Sequence, residues 1–251
     1  MAIRLTSTSE AAQTNGVKCL VYSIAGGGKT SLAKTFDVPT VVISCEAGLL
    51  SLADANLPVI EVASMSDMFE AYDLLANKPE GQQFKAIVID SISEIAEVLL
   101  AEEKKTSKDA RAAYGNTSER MMDLLRAFRD LKGRHVLFIS KLEKVKDEMT
   151  GAFMYGPSMP GQRLGQAIPY LVDEVFALRV EKNDEGQTMR YLQTTPDYQW
   201  QAKDRSGRLA QFEAPDMAAV IRKITGGAAP APAQAPVSQP QPAAATDSLA
   251  A

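Results

Sequence analysis

The stretch Cys19-Leu20-Val21-Tyr22-Ser23-Ile24-Ala25-Gly26-Gly27-Gly28-Lys29-Thr30 decides the fold of this 251-residue chain. Its apolar first half predicts a buried strand that ends at Ser23. The three consecutive glycines let the backbone turn with its N–H groups pointing inward, an arrangement that cradles phosphate oxygens. In such a loop, Lys29 reaches the β- and γ-phosphates and the Thr30 hydroxyl ligates Mg²⁺. The stretch therefore predicts a nucleotide-binding loop between a strand and a helix.

The segment after the loop, residues 31–36, is predicted to be a helix whose N-terminal dipole faces the anion. The usual pattern G-x-x-x-x-G-K-[ST] has glycine where this chain has Ser23. Because Ser23 ends the strand, whereas Gly28 and Lys29 face the phosphates, a small side chain at that position is compatible with the loop. The residues predicted to surround the phosphates are Ala25, Gly26, Gly27, Gly28, Lys29, Thr30 and Ser31.

The composition, 45% hydrophobic and 23% charged, describes a globular chain that can bury one sizeable core. No run approaches the roughly 20 apolar residues of a membrane span, and the N-terminus lacks an apolar signal segment, so we expect a cytoplasmic protein with no membrane partner. Cys19 and Cys45 fall in predicted strands, where we expect reduced thiols. With His135 as the single histidine, a structural zinc site is not expected, so any metal should arrive with the nucleotide.

Apolar runs alternate with helical periodicity, a pattern typical of stacked β-α-β units and a mainly parallel sheet. Strands are predicted over residues 17–23, 40–45, 59–63, 86–90 and 135–140. Amphipathic helices are predicted over residues 65–75, behind the capping pair Ser64 and Asp67, and over residues 121–131. Later β-like runs at 175–180, 189–195 and 198–202 predict an antiparallel extension of the sheet. A last helix is predicted over 215–224.

The chain divides by composition into an N-terminal segment (1–16), a core (17–225) and a tail (226–251). The tail consists mostly of Ala, Pro, Gln and Gly and has no Lys or Arg. Because it lacks the apolar content that offsets chain entropy, we expect it to be disordered. An inert tail is the favoured interpretation, with a partner-docking tip at 246–251 as the alternative.

Two carboxylates follow predicted strands. In Ile87-Val88-Ile89-Asp90-Ser91, an apolar strand ends on Asp90, a Walker B arrangement in which the carboxylate helps to hold Mg²⁺ beside the phosphate loop. Glu46 follows the first strand after the loop and is the candidate base that polarises the attacking water. Glu94, one helical turn beyond Asp90, is its rival, and a solvated turn carboxylate is the plain alternative for Glu46.

Together, these motifs resemble the RecA-like branch of P-loop ATPases and, more closely, the phage-encoded, core-only RecA relatives that act as single-strand annealing recombinases. The resemblance covers about residues 17–225. It implies an α/β fold, a RecA-like P-loop NTPase core with a mainly parallel sheet flanked by helices and an antiparallel C-terminal extension. Further matching segments are Arg111-Ala112-Ala113-Tyr114-Gly115, Tyr155-Gly156-Pro157-Ser158-Met159-Pro160-Gly161, Ile168-Pro169-Tyr170-Leu171-Val172-Asp173-Glu174 and Ala202-Lys203-Asp204-Arg205.

The resemblance also implies ATP-dependent binding of single-stranded DNA and assembly of identical subunits into a ring or filament, with ATP between subunits. A single-strand-binding protein is a further candidate partner, and the host's bacterial cytoplasm is the expected location if the gene is phage-encoded. Lys203 and Arg205 match the Lys-x-Arg element that reaches a neighbour's γ-phosphate in this family. From the residues alone, a solvated hairpin end explains these two cations equally well. No aromatic-x-x-Ala polymerisation motif stands in the N-terminal stretch.

The charge distribution bears on DNA binding. A net charge of −4 argues against indiscriminate binding, but residues 104–146 carry twelve Lys or Arg against five Asp or Glu. The predicted loop 141–163 combines cations with Phe153, Met154 and Tyr155, which suits a single strand whose bases can stack. A plain β-hairpin with its apolar residues turned inward is the equal alternative. The predicted DNA-binding cations of this loop are Lys141, Lys144, Lys146 and Arg163.

The sequence thus predicts an ATP- and Mg²⁺-binding, ATP-hydrolysing protein that binds single-stranded DNA during recombination, annealing or repair. A helicase or helicase loader is one alternative, and a nucleotide-gated assembly protein with little hydrolysis is the other. The residues predicted to take part in catalysis are Glu46, Lys29, Lys203 and Arg205.

Overall fold

A ten-stranded sheet runs through the part of the chain that the structure describes. The structure is a computed structural model, and it describes residues 5–8, 10, 15–46, 48–146, 148 and 151–226. In chain order, the strands are β1 (Lys18–Ser23), β2 (Thr40–Ser44), β3 (Val59–Glu61), β4 (Ala86–Asp90), β5 (His135–Lys146), β6 (Phe153–Pro157), β7 (Glu174–Lys182), β8 (Thr188–Gln193), β9 (Lys203–Asp204) and β10 (Phe212–Glu213).

The centre of the sheet is parallel, in the order β7-β1-β5-β4-β2-β3. Strands β1, β2 and β4 are buried along their whole length, as expected for strands covered on both faces. Strands β8 and β9 pair antiparallel with β7, β10 pairs antiparallel with β8, and β6 pairs antiparallel with the end of β5. The predicted α/β fold, with its mainly parallel sheet and antiparallel C-terminal strands, is confirmed.

Helices cover both faces of this sheet. They are α1 (Met65–Asn77), α2 (Pro79–Gln82), α3 (Ile92–Thr106), α4 (Ala110–Arg129), α5 (Gln162–Leu171) and α6 (Met217–Thr225). Alternate residues of β1 face opposite sides: Leu20 and Tyr22 belong to a buried cluster with residues of α1, α3, α4 and α5, whereas Val21 belongs to a second cluster with residues of α6. The predicted cap of α1 is present, because the Ser64 hydroxyl accepts from the Asp67 N–H and the Asp67 carboxylate accepts from the Ser64 N–H.

The structure corrects the predicted helix after the phosphate loop. Residues Thr30–Thr35 form a 3₁₀ segment and not an α-helix, and a second 3₁₀ segment spans Leu49–Leu52. Only ten residues, 30–39, separate Lys29 from the start of β2, which leaves room for less than three turns before the chain must enter the sheet. An aligned helix dipole is therefore a weaker source of anion binding here than the sequence predicts.

The predicted strand at 198–202 is also wrong. The Asp197 carboxylate accepts from the N–H groups of Gln199 and Trp200, so these amides close a turn and cannot extend a ladder. Trp200 forms a single bridge with Tyr155. Conversely, β5 runs to Lys146, six residues beyond its predicted end, because its last part pairs with β6. The predicted disordered tail lies outside the described residues, apart from Gly226, which ends α6 in a left-handed conformation.

Candidate functional site

The carboxyl ends of the central parallel strands meet at one edge of the sheet, and the phosphate loop follows one of them. Ser23, the last residue of β1, lies opposite Lys141, and Ser44, the last residue of β2, lies opposite Asp90. The Cys45 N–H donates to the Asp90 carbonyl at 2.7 Å. This register brings Glu46 next to the strand end that carries Asp90, at the edge where open α/β sheets bind ligands.

The backbone of the phosphate loop depends on its glycines. Gly26 and Gly28 have φ of +70° and +100°, values that favour glycine. A Cβ at Gly27 would overlap the Ser23 hydroxyl. That hydroxyl is buried and donates to the Leu178 carbonyl of β7 at 2.5 Å. Ser23, which departs from the usual pattern, therefore ties the start of the loop to the neighbouring strand, and its presence requires glycine at position 27.

Lys29 lies over the end of β1. Its Nζ donates to the carbonyls of Ser23 at 3.1 Å and Ile24 at 2.9 Å. Burial lowers the pKa of Lys29, and the nearby carboxylates of Asp90 and Glu46 oppose that shift. An ammonium has three donors, so one donor is left for an anion beside the loop.

Thr30 and Asp90 form a pair of oxygen ligands. The Thr30 hydroxyl donates to Asp90 Oδ2 at 2.5 Å. Burial raises the pKa of Asp90, while the hydrogen bond from Thr30 acts in the opposite direction. A largely buried carboxylate beside a hydroxyl matches the hard oxygen ligands that Mg²⁺ takes when it binds with a nucleotide's phosphates. The residues present therefore fit the metal that the sequence implies.

The two candidate bases have different surroundings. Glu46 Oε1 accepts a hydrogen bond from the hydroxyl of Ser91, the residue after Asp90. The carboxylate of Glu94 is 2.6 Å from Lys141 Nζ and forms an ion pair with it. Glu46 thus contacts the Asp90 segment directly, whereas Glu94 is held by a lysine of β5. This geometry favours Glu46 as the residue that orients water.

Sequence reasoning missed Arg190. This arginine lies in β8, and its Nε donates to the Gly27 carbonyl at 3.1 Å. It lines a cavity of about 620 Å³ together with loop residues 26–31. The β-like run that contains Arg190 predicts a strand, but the sequence carries no signal for which strand neighbours the loop. Only the observed order, with β8 beside β7 and β7 beside β1, brings Arg190 to this position.

Lys203 and Arg205 are at the other end of the central strands. Lys203 pairs with Val175 of β7. The preceding residue of β7, Glu174, pairs with Cys19, near the beginning of β1. Lys203 Nζ donates to the carbonyls of Pro169 at 2.9 Å and Val172 at 2.6 Å. The structure thus does not bring Lys203 to the phosphate loop of its own chain.

Arg205 also has a partner within the chain, because its Nη1 is 2.9 Å from the Asp173 carboxylate. Action of Lys203 and Arg205 on a neighbour's nucleotide stays a prediction.

The predicted loop 141–163 is a hairpin of β5 and β6 followed by α5. Its apolar side chains are not all turned inward: Val145 is 42% exposed and Phe153 is 40% exposed. Lys144 Nζ lies 3.7 Å from the centroid of the Phe153 ring. Lys146 is exposed on the same hairpin, opposite Phe153 in the register. Cations and exposed apolar side chains therefore share this hairpin.

An aromatic stack joins the hairpin to Trp200. The rings of Tyr155 and Trp200 stack with centroids 4.3 Å apart, and Arg179 lies 4.1 Å from the Trp200 centroid. The other two predicted DNA contacts lie apart from this stack. Lys141 is paired with Glu94 at the phosphate-loop edge, and Arg163 is exposed on α5.

Five of the twelve cations in the basic segment 104–146 are engaged by local partners. Its arginine at position 134 is buried and donates to the Leu75 carbonyl. Four further cations form ion pairs with carboxylates, namely Arg120, Arg126, Arg129 and Lys141. The count of basic residues therefore overstates the charge available to DNA, and the hairpin residues Lys144 and Lys146 are among the cations outside these pairs.

No helix within the described residues is long and apolar enough to cross a membrane. A search of curated proteins finds no match. A family profile described as an AAA domain matches residues 15–206, a span that includes the phosphate loop, Glu46 and Asp90. This chain belongs to the AAA domain family, whose members have a P-loop ATPase-type domain.

Proposed function

We propose that this protein is a Mg²⁺-dependent ATPase that acts on single-stranded DNA, in the manner of the RecA-like annealing recombinases. One observation carries the ATPase part. Four side chains from three segments of the chain, Lys29 and Thr30, Glu46, and Asp90, meet at the carboxyl edge of the sheet around a glycine loop. The AAA domain match supports nucleotide binding in general.

Each of these residues has a role that its geometry supports. Lys29 would bind the β- and γ-phosphates, and Thr30 with Asp90 would hold Mg²⁺. Bound Mg²⁺ would neutralise charge on the phosphate oxygens while the γ-phosphoryl group is transferred to water. Glu46, whose position is set by the Ser91 hydroxyl, would orient the attacking water and accept its proton.

Equilibrium binding of a fluorescent ATP analogue tests the nucleotide site. Lys29→Ala should abolish measurable binding, because it removes the cation that contacts the phosphates. Lys132→Ala is the matched control, since Lys132 is exposed in the turn before β5 and far from the loop in sequence. Unchanged affinity in Lys29→Ala would contradict the site assignment.

The hairpin supports the DNA part of the proposal. Lys144 and Lys146 supply positive charge, and Phe153, Tyr155 and Trp200 supply rings on which bases can stack. Stacking of this kind is worth about 1–3 kcal/mol per base in single-strand binding proteins. It is tolerant of sequence, as annealing requires.

Trp200 also provides a reporter, because it is the chain's only tryptophan. Titration with an oligo-dT should change its emission, and binding should weaken as salt rises. Phe153→Ala should weaken binding, whereas Phe69→Ala, on α1, should not. Equal loss in both variants, or no loss in either, would contradict the hairpin assignment.

Hydrogen bonds connect the two proposed sites. Tyr22 precedes Ser23, and its single hydroxyl proton is shared between the carbonyls of Tyr155, at 3.1 Å, and Gln201, at 2.7 Å. Three residues after Asp90, the Ser93 hydroxyl donates to the Ser158 carbonyl at 2.7 Å. These contacts offer a physical route by which DNA on the hairpin could change ATP turnover, and they support a DNA-dependent ATPase.

Assembly of several copies is part of the same proposal. Arg205 is more than half exposed and would be available to a neighbour's nucleotide if its ion pair with Asp173 opened. Light scattering with ATP and single-stranded DNA should show assembly, and Arg205→Ala should lower turnover only where wild-type protein assembles. A monomer under all conditions would exclude this role for Arg205.

A further inference from the structure

Arg190 reaches the phosphate loop because of the way β7 and β8 extend past β1. Tyr22 pairs with Ala177 of β7, and β7 continues for five more residues beside β8. Arg190 pairs with Val180, three residues beyond Ala177. The arginine therefore lies beyond the end of β1, where the chain turns into the glycine loop.

Within the described part of the chain, the Arg190 side chain makes one hydrogen bond. Its Nε donates to the Gly27 carbonyl at 3.1 Å, and a Cβ at Gly28 would lie 3.4 Å from that same nitrogen. Among the described residues, no carboxylate forms an ion pair with Arg190. By contrast, the neighbouring Arg179 is bound to Glu181 and Gln193. The two terminal nitrogens of Arg190 thus have no described partner, although the guanidinium is held in place.

The cavity beside Arg190 has a positively charged lining that suits an anion. Its lining includes Lys29, Lys34 and Arg190 and the backbone of the glycine loop, but none of its described lining residues is acidic. Lys34 already has a partner in Asp54. Thr30, which is hydrogen-bonded to Asp90, also lines the cavity, so the cavity adjoins the proposed Mg²⁺ ligands.

We propose that Arg190 is a phosphate ligand in cis, which binds the same nucleotide as Lys29 through its two terminal nitrogens. A planar guanidinium fixed through Nε offers two parallel donors to a phosphate oxygen pair. Because its guanidinium lies against Gly27 and Gly28 of the loop, Arg190 would bind the phosphates that ATP and ADP share. This inference rests on the proposed nucleotide site and adds a second cation to it.

Equilibrium binding of MgATP and MgADP to the full chain tests the inference. Arg190→Gln retains an N–H donor for the Gly27 carbonyl but removes the charge. We expect it to raise Kd for both nucleotides by a similar factor, about tenfold to a hundredfold, the usual weight of a charged phosphate contact. Arg190→Lys should recover part of the affinity. Arg111→Gln, an exposed arginine on α4, is the matched control.

Several outcomes would overturn the inference. Wild-type affinity in Arg190→Gln would mean that the arginine only supports the loop. A change in Kd for ATP but not for ADP would place Arg190 at the γ-phosphate and contradict the shared-phosphate assignment. Circular dichroism checks that each variant is folded. If wild-type protein itself bound neither nucleotide, the proposed function would fail; if only Lys29→Ala lost binding, this inference alone would fail.

Discussion

Replacement of Glu174 with glutamine should stabilise the protein at neutral and alkaline pH. Glu174 begins β7, is 1% exposed, and pairs in the sheet with Cys19 on one side and Asp204 on the other. Burial, and next the charge of Asp204, raise the pKa of Glu174 from 4.5 to about 8. The folded protein therefore holds this proton more tightly than the unfolded chain does.

The sign and size of the effect follow from linkage. A raised pKa contributes stability that is fully present below the unfolded value of 4.5 and is lost as pH rises towards 8. At about 1.4 kcal/mol per pKa unit, the free energy of unfolding should fall by about 3 kcal/mol between pH 5 and pH 8 through this group. Glu174→Gln is neutral throughout and should lack that loss.

Urea unfolding, followed by Trp200 emission and circular dichroism, measures the difference between variant and wild type at each pH. Taking the difference cancels the contributions of other titrating groups to the pH dependence of the free energy of unfolding. Lys18 is one of them: burial lowers its pKa to about 8, so its contribution changes with pH above that value. The variant's advantage should grow by about 3 kcal/mol from pH 5 to pH 8. A difference that does not change with pH would refute the reasoning.

Two further predictions concern the nucleotide site. Gly27→Ala should raise the Kd for ATP at least about tenfold, because the new Cβ overlaps the Ser23 hydroxyl. The double variant with Ser23→Gly should recover much of the affinity. No recovery would show that the overlap is not the cause. Glu46→Gln should lower ATP turnover by about a hundredfold while ATP binding persists. Glu61 is exposed at the end of β3, and the control variant Glu61→Gln should match wild type. Equal turnover in wild type and both variants would exclude Glu46 as the base.

Much of the fold could be predicted because its strands carry continuous apolar runs. Ala86–Asp90 is apolar up to its final carboxylate, and both its bounds are as predicted. The same pattern places Asp90 at a strand end, where parallel strands present their functional side chains. The cap formed by Ser64 and Asp67 could also be predicted, because it depends only on residues that are close together in the sequence.

Features that depend on strand order could not be predicted. Arg190 and Gly27 are separated by 163 residues and meet only because β7 lies beside β1. The pairing of Lys141 with Glu94 depends on the register of β5 against its neighbours, so a lysine that the sequence groups with DNA contacts lies at the phosphate-loop edge. Periodicity identifies strands, but it does not say which strands are adjacent.

Steady-state ATP turnover with and without single-stranded DNA, measured over a range of salt concentrations, tests the central claim most directly. We predict that DNA stimulates turnover, that stimulation fades as salt rises, and that Lys29→Ala abolishes it. Turnover that DNA leaves unchanged would contradict the DNA part of the account and favour an ATPase directed at protein. Absence of turnover despite intact ATP binding would contradict the ATPase itself and favour a nucleotide-gated assembly protein.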